Sequence, residues 1–351
     1  MRLRHVGSAR LSGAEPLDEL HLSVRRAVVD DAPGLFQLIS DIDRHDFGDV
    51  DMTVEEVRDD LAGFDLDNDS WLVFQPEADG EPLVAFAAIE PRADEEFRGQ
   101  VSVHPDWRGR GIGSALAKEL ERAVRDRLPD PAEPTPILGF VKGDSAPERQ
   151  WVESLGYSWS RRFWRMRIDL ESPPPLPEWP EGITVRDFVP GQDDRAMYDA
   201  QEAAFADHWG HIPRPYDDFV KRLERSDFDP SLWHIAMDGD LVVATASNST
   251  LADNVGWVSG LGTIPDYRRR GIARAILLHS FGVFWRRGMP SVALGVDADS
   301  LTGATGLYES VGMRVVQQYD QFRKLIAYSS TELWFAVDGC SRSSAGCSRR
   351  S

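Results

Sequence analysis

Apolar and polar positions alternate over residues 22–27, the pattern of a short half-buried strand, and then take up a helical spacing that puts Leu35, Leu38 and Ile39 on one face. Asp30 or Asp31 stands where that helix needs its N-cap. A second helix is expected over 53–61, opened by the capping-box spacing of Thr53 and Glu56. Residues 71–74 and 83–89 are apolar and flank Asp79 and Gly80, which predicts a hairpin. A strand at 100–103 follows, then a helix over 114–127 with Leu116, Leu120 and Val124 at helical spacing. A buried strand at 137–141, a helix over 146–154 ended by Gly156, and an alternating strand over 159–170 complete the run. The last strand is expected to close the sheet of its own domain.

The pattern then starts again. Pro173, Pro174, Pro175, Leu176, Pro177, Glu178, Trp179 and Pro180 form a stretch too rich in proline to continue a sheet, so 172–181 reads as a semi-rigid linker between domains at 21–171 and 182–328. Ile183, Thr184, Val185 and Arg186 echo Ser23, Val24 and Arg25, with Val185 lying 161 residues after Val24. Helices at 193–205 and 216–225, a hairpin of 233–237 with 241–247, and a strand at 255–263 repeat the first copy. A helix over 274–287, a strand at 291–296, a helix over 302–310 closed by Gly312 and an alternating strand over 314–326 finish the second. Each copy reads β-α-α-β-β-β-α-β-α-β, so the fold class is mixed α/β, a duplicated α+β domain. Residues 1–20 lack periodicity and are expected to be a loose leader. Residues 329–351 read as a disordered tail, with one apolar island at 333–337.

Composition narrows the partners. A chain of 351 residues has room for two cores. Its formal charge of −19 opposes broad binding to nucleic acid or to an anionic membrane, and neither is expected. Cys340 and Cys347 both lie in the tail and offer the folded body no disulfide framework or metal cluster. Neither a signal-peptide core nor a long apolar run is present, which together with the cysteines points to the cytoplasm.

Against that acidity, one basic turn stands out. Thr263, Ile264, Pro265, Asp266, Tyr267, Arg268, Arg269, Arg270, Gly271, Ile272, Ala273 and Arg274 lead from a strand through a turn into a helix. Free backbone N–H groups and the positive end of the helix dipole point the same way there, the makings of an anion site. Gly271 lets backbone approach a bulky phosphate, and the small Ala273 keeps the approach clear. The turn is duplicated 160 residues earlier (271 − 111 = 160) by Arg108, Gly109, Arg110, Gly111, Ile112 and Gly113, after a strand ending Val101, Ser102 and Val103. Both turns point to a phosphorylated ligand.

These turns, followed by Leu307, Tyr308, Glu309, Ser310, Val311 and Gly312 in the second copy, resemble the GNAT acetyltransferase superfamily, and the tandem two-domain members of it, mycothiol synthases among them. The resemblance covers roughly 22–170 and 183–326. It implies two GNAT domains, each a mixed, mostly antiparallel twisted sheet flanked by helices, packed as a pseudo-dimer within a monomer. It implies acetyl-CoA as donor, with its pyrophosphate on the Arg–Gly turn and its pantetheine arm along the preceding strand, which ends Leu261, Gly262 and Thr263 in the second copy. Glycines flanking Leu261 would ease a bulge there and free an N–H for the thioester oxygen. Ser300 stands where the family often has an asparagine on the cofactor arm.

The resemblance also implies Tyr308 as the acid that returns a proton to the departing thiolate. Aligning Gly156 with Gly312 puts Val152 at that place in the first copy, so the second copy is expected to catalyse and the first to be structural or to bind without turnover. No acidic residue lies on 256–261, where many relatives hold a general base. The segment bearing Glu202, Asp207, His208, Trp209 and His211 offers His208 instead, and Arg44, His45, Asp46, Phe47 and Gly48 are its faint counterpart. No third ligand lies near His208 and His211 in sequence, and no metal is expected there. The acceptor implied is a primary amine on a small molecule: an amino sugar, an antibiotic or a cysteinyl pseudodisaccharide. A protein N-terminus or lysine is the second reading, and a silent acetyl-CoA-binding regulator the third.

Overall fold

A computed structural model of the chain describes residues 17, 19–48, 50, 52–76, 80–92, 96–128, 133–207, 211, 213–225, 228–300 and 303–327. The first repeat runs β1 (Ser23–Arg25), α1 (Ala32–Asp46), α2 (Val54–Ala62), β2 (Ser70–Phe74), β3 (Leu83–Pro91), β4 (Phe97–Val103), α3 (Ile112–Arg125), β5 (Thr135–Lys142), α4 (Ala146–Ser154) and β6 (Ser158–Asp169). The second runs β7 (Ile183–Asp187), α5 (Asp194–Phe205), α6 (Tyr216–Arg222), β8 (His234–Asp238), β9 (Leu241–Leu251), β10 (Val255–Thr263), α7 (Ile272–Arg286), β11 (Ser291–Asp297), α8 (Ala304–Ser310) and β12 (Arg314–Ile326). The order is the expected one in both, and antiparallel pairs predominate.

Local chemistry explains the starts of these elements. The capping box forms, with Glu56 accepting from the Thr53 N–H at 2.6 Å and Thr53 Oγ1 accepting from the Glu56 N–H at 3.2 Å. Asp31 sits at the N-cap of α1, but its carboxylate instead grips Arg25 of β1 and accepts from the Val28 N–H at 2.8 Å. Asp193 does the same for Arg186 of β7 and the Val189 N–H, so each repeat clasps its first strand to its first helix. Leu17, expected within the loose leader, is packed instead. It is 1% exposed in the core beneath β2 and β3, and its carbonyl accepts from the Leu22 N–H, because those apolar strands need cover on that face. Residues 1–16, and the tail over 328–351 with its 333–337 island, lie outside the described residues.

The expected closing strands are rearranged. All twelve strands form one sheet in the order β1-β2-β3-β4-β5-β12-β6-β11-β10-β9-β8-β7. β6 does not pair with β5; it runs antiparallel to β11, from Ser291↔Asp169 to Asp297↔Phe163. β12 in turn pairs with β5, from Tyr319↔Lys142 to Ile326↔Thr135, and β6 and β12 pair with each other at the centre. Each repeat has therefore given its last strand to the other half of the sheet. An alternating strand satisfies its hydrogen bonds against either neighbour, which is why the exchange leaves no mark on the pattern of apolar positions.

Charge fastens the seam. Asp320 of β12, 1% exposed, accepts from Arg162 of β6 at 2.7 and 2.9 Å and from Arg149 of α4 at 3.1 Å. Asp297 of β11 accepts from Arg161 Nε at 2.5 Å, and Lys324 of β12 donates to both oxygens of Glu121 at 2.7 Å. The stretch over 172–181 has no regular structure, and its Trp179 packs against a small core that includes Ile272 and Ile276. No helix among the described residues is long and apolar enough to cross a membrane.

Burial alone would raise the Asp320 carboxyl, but the Arg162 hydrogen bonds hold it below the ordinary carboxylate value. A depressed folded value means stability that is present above the unfolded value, about 3.9, and is lost as pH falls through the folded one. Asp320→Ala is expected to lower the unfolding free energy by about 2–3 kcal/mol at pH 7. The difference from wild type should shrink below about pH 4 as the wild-type carboxylate itself protonates, and denaturant midpoints at the two pH values measure it.

Candidate functional site

The site begins where β10 leaves its parallel partner. β10 and β11 are in register only at Gly256↔Val292, Trp257↔Ala293 and Val258↔Leu294, after which the strands part. On its other side β10 carries a bulge against β9, since Val258 opposes Asn248 and Gly260 opposes Ser247, leaving Ser259 extra. The expected bulge is thus present, two residues before Leu261. Gly260 and Gly262 serve packing: a methyl on Gly260 would lie 2.8 Å from Ser247 Oγ, and one on Gly262 would lie 2.7 Å from the Ala204 Cβ on α5. A side chain at either position would have to displace its neighbour.

The gap between the parted strands opens into a cavity of about 460 Å³. One wall is β10 (Trp257 to Leu261) and the other is β11 (Gly295 to Asp297), with Tyr308 and Ala304 of α8 and Ser300 at the end. Phe205 of α5 contributes as well. The remaining wall comes from the exchanged strands: Phe163, Trp164 and Arg165 of β6, with Tyr319 of β12. Arg165 lies over the Trp257 ring, its guanidinium carbon 5.3 Å from the centroid. Tyr308 is 8% exposed, and burial pushes its phenol up to about 12. Of the residues predicted along the cofactor arm, Leu261 and Ser300 line the cavity. Gly262 and Thr263 continue β10 beyond that lining, and the Thr263 side chain is buried.

At the end of β10 the chain makes one 3-10 turn, Pro265–Tyr267, and enters α7 through Gly271, whose φ is +85°. The backbone N–H groups from Arg269 to Arg274 have no hydrogen-bond partner among the described residues, so the helix N-terminus offers a row of free donors. Ile272 is buried beneath it and anchors the turn. The arginines divide the labour. Arg268 is the anchor: its guanidinium pairs with both oxygens of Asp207 at 2.5 and 2.8 Å and also donates to the Thr263 and Ala204 carbonyls. The bond to Asp207 raises its pKa further. Arg270 lies over the Tyr267 ring at 4.5 Å and donates to the Asp266 carbonyl. Arg269 adopts φ +59°, a left-handed backbone that a side chain tolerates at a cost of about 1 kcal/mol.

The first repeat builds the same turn. Arg108 pairs with Asp46 at 2.8 and 2.6 Å and donates to the Val103 carbonyl, Arg110 lies over Trp107, and Gly111 has φ +87°. Gly109, at φ +75°, holds the place of Arg269. Asp46 and Asp207, which the sequence placed beside His45 and His208, instead anchor the arginines of the two turns. Their recurrence at a spacing of 161, matched to 160 for Arg108 and Arg268, was the available signal that they are partners of the loops.

What surrounds the turn differs. Along β3 the strand bearing Val101, Ser102 and Val103 keeps an unbroken register, so the bulge is missing. Gly113 faces the Trp151 indole, with a methyl there only 3.3 Å from Trp151 Cζ2 and 3.7 Å from Val103 Cγ2. The Trp151 Nε1–H donates to Ser114 Oγ at 3.0 Å, fixing the ring across the start of α3. Ala273 and Leu307 stand at the positions of Gly113 and Trp151 in the second repeat (113 + 160 = 273; 151 + 156 = 307). The alignment of Val152 with Tyr308 holds in space too. Each lies at the end of its helix with its carbonyl accepting from the N–H five residues on, Tyr157 or Met313.

His208 lies outside the described residues, as does Trp209. His211 is half-buried, and its Nε2 is 3.1 Å from Glu202 Oε2 on α5.

A family model described as Acetyltransferase (GNAT) family matches residues 195–313, and one described as Acetyltransferase (GNAT) domain matches 69–158. A curated relative, mycothiol acetyltransferase of Thermobispora bispora, is 32% identical over 241 residues, which span 67% of this chain and 77% of that one. Mycothiol acetyltransferase of Frankia alni is 34% identical over 232 residues, 62% of this chain and 68% of its own. Among solved structures, a GCN5-related N-acetyltransferase from Sphaerobacter thermophilus superposes with a TM-score of 0.74 at 37% identity, covering 87% of this chain and 96% of that one. A tandem GNAT protein from the clavulanic acid biosynthesis pathway has the same fold, with a TM-score of 0.69 at 14% identity, over 88% of this chain and 99% of its own.

Because Gly262 touches α5, Gly262→Ala is expected to push that helix off β10 and to lower stability by about 1–3 kcal/mol. Gly271→Ala meets no atom within 4 Å, and its cost of about 1 kcal/mol comes from backbone conformation alone. Denaturant midpoints of the two variants give the comparison.

Proposed function

The chain belongs to the GNAT acetyltransferase family, and on that premise we propose that its second repeat moves the acetyl group of acetyl-CoA to the primary amine of a small molecule. The observation that carries the small-molecule reading is the β10–β11 cavity, whose outer wall is Phe163, Trp164 and Arg165 of the exchanged β6. An apolar, aromatic cleft of a few hundred Å³ with few polar groups is the usual makeup of a small-ligand site. The relatives named mycothiol acetyltransferase direct the choice within that class to a cysteinyl pseudodisaccharide amine.

The residues present suit the donor. The row of N–H groups from Arg269 to Arg274, backed by Arg269, Arg270 and the α7 dipole, matches a pyrophosphate in charge and geometry. When bound, acetyl-CoA supplies the activated acyl group and a thiol as leaving group. In this reading the bulge at Ser259 exposes backbone N–H on β10 to the thioester oxygen as it gains charge. Tyr308 gives its proton to sulfur as the C–S bond breaks. Support for that role is its place in the cavity wall and the burial that keeps the phenol protonated at neutral pH. The amine proton leaves to a base, for which His208 is the proposed group. His211 is engaged with Glu202.

The first repeat is proposed to be silent. Val152 has no proton to transfer, β4 lacks the bulge, and Trp151 lies across the start of α3.

Tyr308→Phe is expected to lower kcat about 100-fold with little change in KM for acetyl-CoA, read from thioester consumption across an amine panel; undiminished turnover would remove Tyr308 as the acid. Calorimetry with coenzyme A should give one equivalent per chain, and two equivalents would show that the first turn still binds. Arg269→Gly should relieve the left-handed strain, raising stability by about 1 kcal/mol, while weakening coenzyme A binding several-fold.

A further inference from the structure

Away from the cavity, three potential metal ligands converge where the β7–β8 edge meets α7. Asp187 ends β7, His234 begins β8, and the two are paired across the strands. His279 lies on α7, about two turns beyond Gly271. One ligand atom from each of the three lies within 4.8 Å of the other two. His234 is 0% exposed, its Nδ1 is 3.1 Å from Asp187 Oδ1, and its Nε2 is buried with no hydrogen-bond partner. The His234 and His279 rings stand edge to face with centroids 4.7 Å apart, and Trp179 of the proline-rich stretch packs on His279 at 6.3 Å.

A buried ring nitrogen without a partner is costly, and structures rarely keep one without a use. Two imidazoles and a carboxylate are the ligand set that divalent zinc and its neighbours prefer. The three candidate ligand atoms lie within 4.8 Å of one another, against about 3.3 Å between the ligands of a tetrahedral zinc ion at about 2.0 Å. His279 is half-buried and Asp187 is exposed, so small side-chain rotations bring the third ligand in and leave a fourth position open to water. We propose that Asp187, His234 and His279 bind one divalent transition-metal ion of the Zn²⁺ class, which clips the β7–β8 edge to α7. The ion is structural: it steadies the helix whose N-terminus forms the anion turn. Linear spacings of 47 and 45 residues between the three ligands hide the set from any sequence motif (234 − 187 = 47; 279 − 234 = 45).

The test uses the full, untagged chain, stripped with chelator and titrated with ZnCl₂ by calorimetry and thermal unfolding. One saturable equivalent is expected, with Tm rising by about 2–4 °C at a hundredfold excess over Kd. His279→Ala, which removes a half-buried ligand without opening the core, should weaken Zn²⁺ binding at least tenfold, and Asp187→Asn should weaken it as well. Co²⁺ in place of Zn²⁺ should give visible absorption bands that His279→Ala abolishes. Retained coenzyme A binding by both variants establishes that they are folded. Absence of saturable binding overturns the proposal. So does binding that persists in both variants and is lost on alkylating Cys340 and Cys347, which would assign the ion to the tail.

Discussion

The antiparallel pairing of β6 with β12 is the contact on which the remaining geometry depends. It sets β6 against β11 and β12 against β5, so the two repeats become one sheet rather than two sheets in contact. The pairing is secured by the buried Asp320 carboxylate, held by Arg162 of β6, and Arg161 fastens the other edge of β6 to Asp297 of β11. Breaking it would leave charge buried without its partner, which is far more costly than losing a surface ion pair. The exchange also leaves the open edges of the sheet to β1 and β7, strands of three and five residues, and so limits the edge available for pairing with another chain.

The same exchange gives the candidate site its outer wall. A parted strand pair, a bulge and a helix N-terminus make a cleft suited to a donor, but they do not enclose an acceptor. Phe163, Trp164 and Arg165 reach the cleft only because β6 lies beside β11. The first repeat thus contributes a wall to the candidate site of the second, while its own Trp151 lies across the start of α3.

The two anion turns show how little change separates their surroundings. Backbone angles, the anchoring arginine and its aspartate partner recur, from Arg108 with Asp46 to Arg268 with Asp207. Divergence is confined to side chains and one inserted residue. Trp151 replaces Leu307, Val152 replaces Tyr308, and Ser259 makes a bulge that β4 lacks. Arg269 holds a left-handed backbone that Gly109 adopts freely, a local strain in the turn proposed to hold the donor's pyrophosphate.

Sequence by itself determined the duplication, the order of elements in both copies, the turns at Gly111 and Gly271, and the Val152–Tyr308 difference. Each of these is a local matter of periodicity, capping or backbone freedom, and local rules are written in neighbouring residues. The pairing of Asp207 with Arg268 was legible in part, through its echo in Asp46 and Arg108, but its meaning was not. Tertiary structure alone decided the strand exchange, the burial of Leu17, the β6 wall of the cavity and the meeting of Asp187, His234 and His279. An alternating strand carries no label for its neighbour, and groups 45 or more residues apart meet only when a sheet and a helix bring them together.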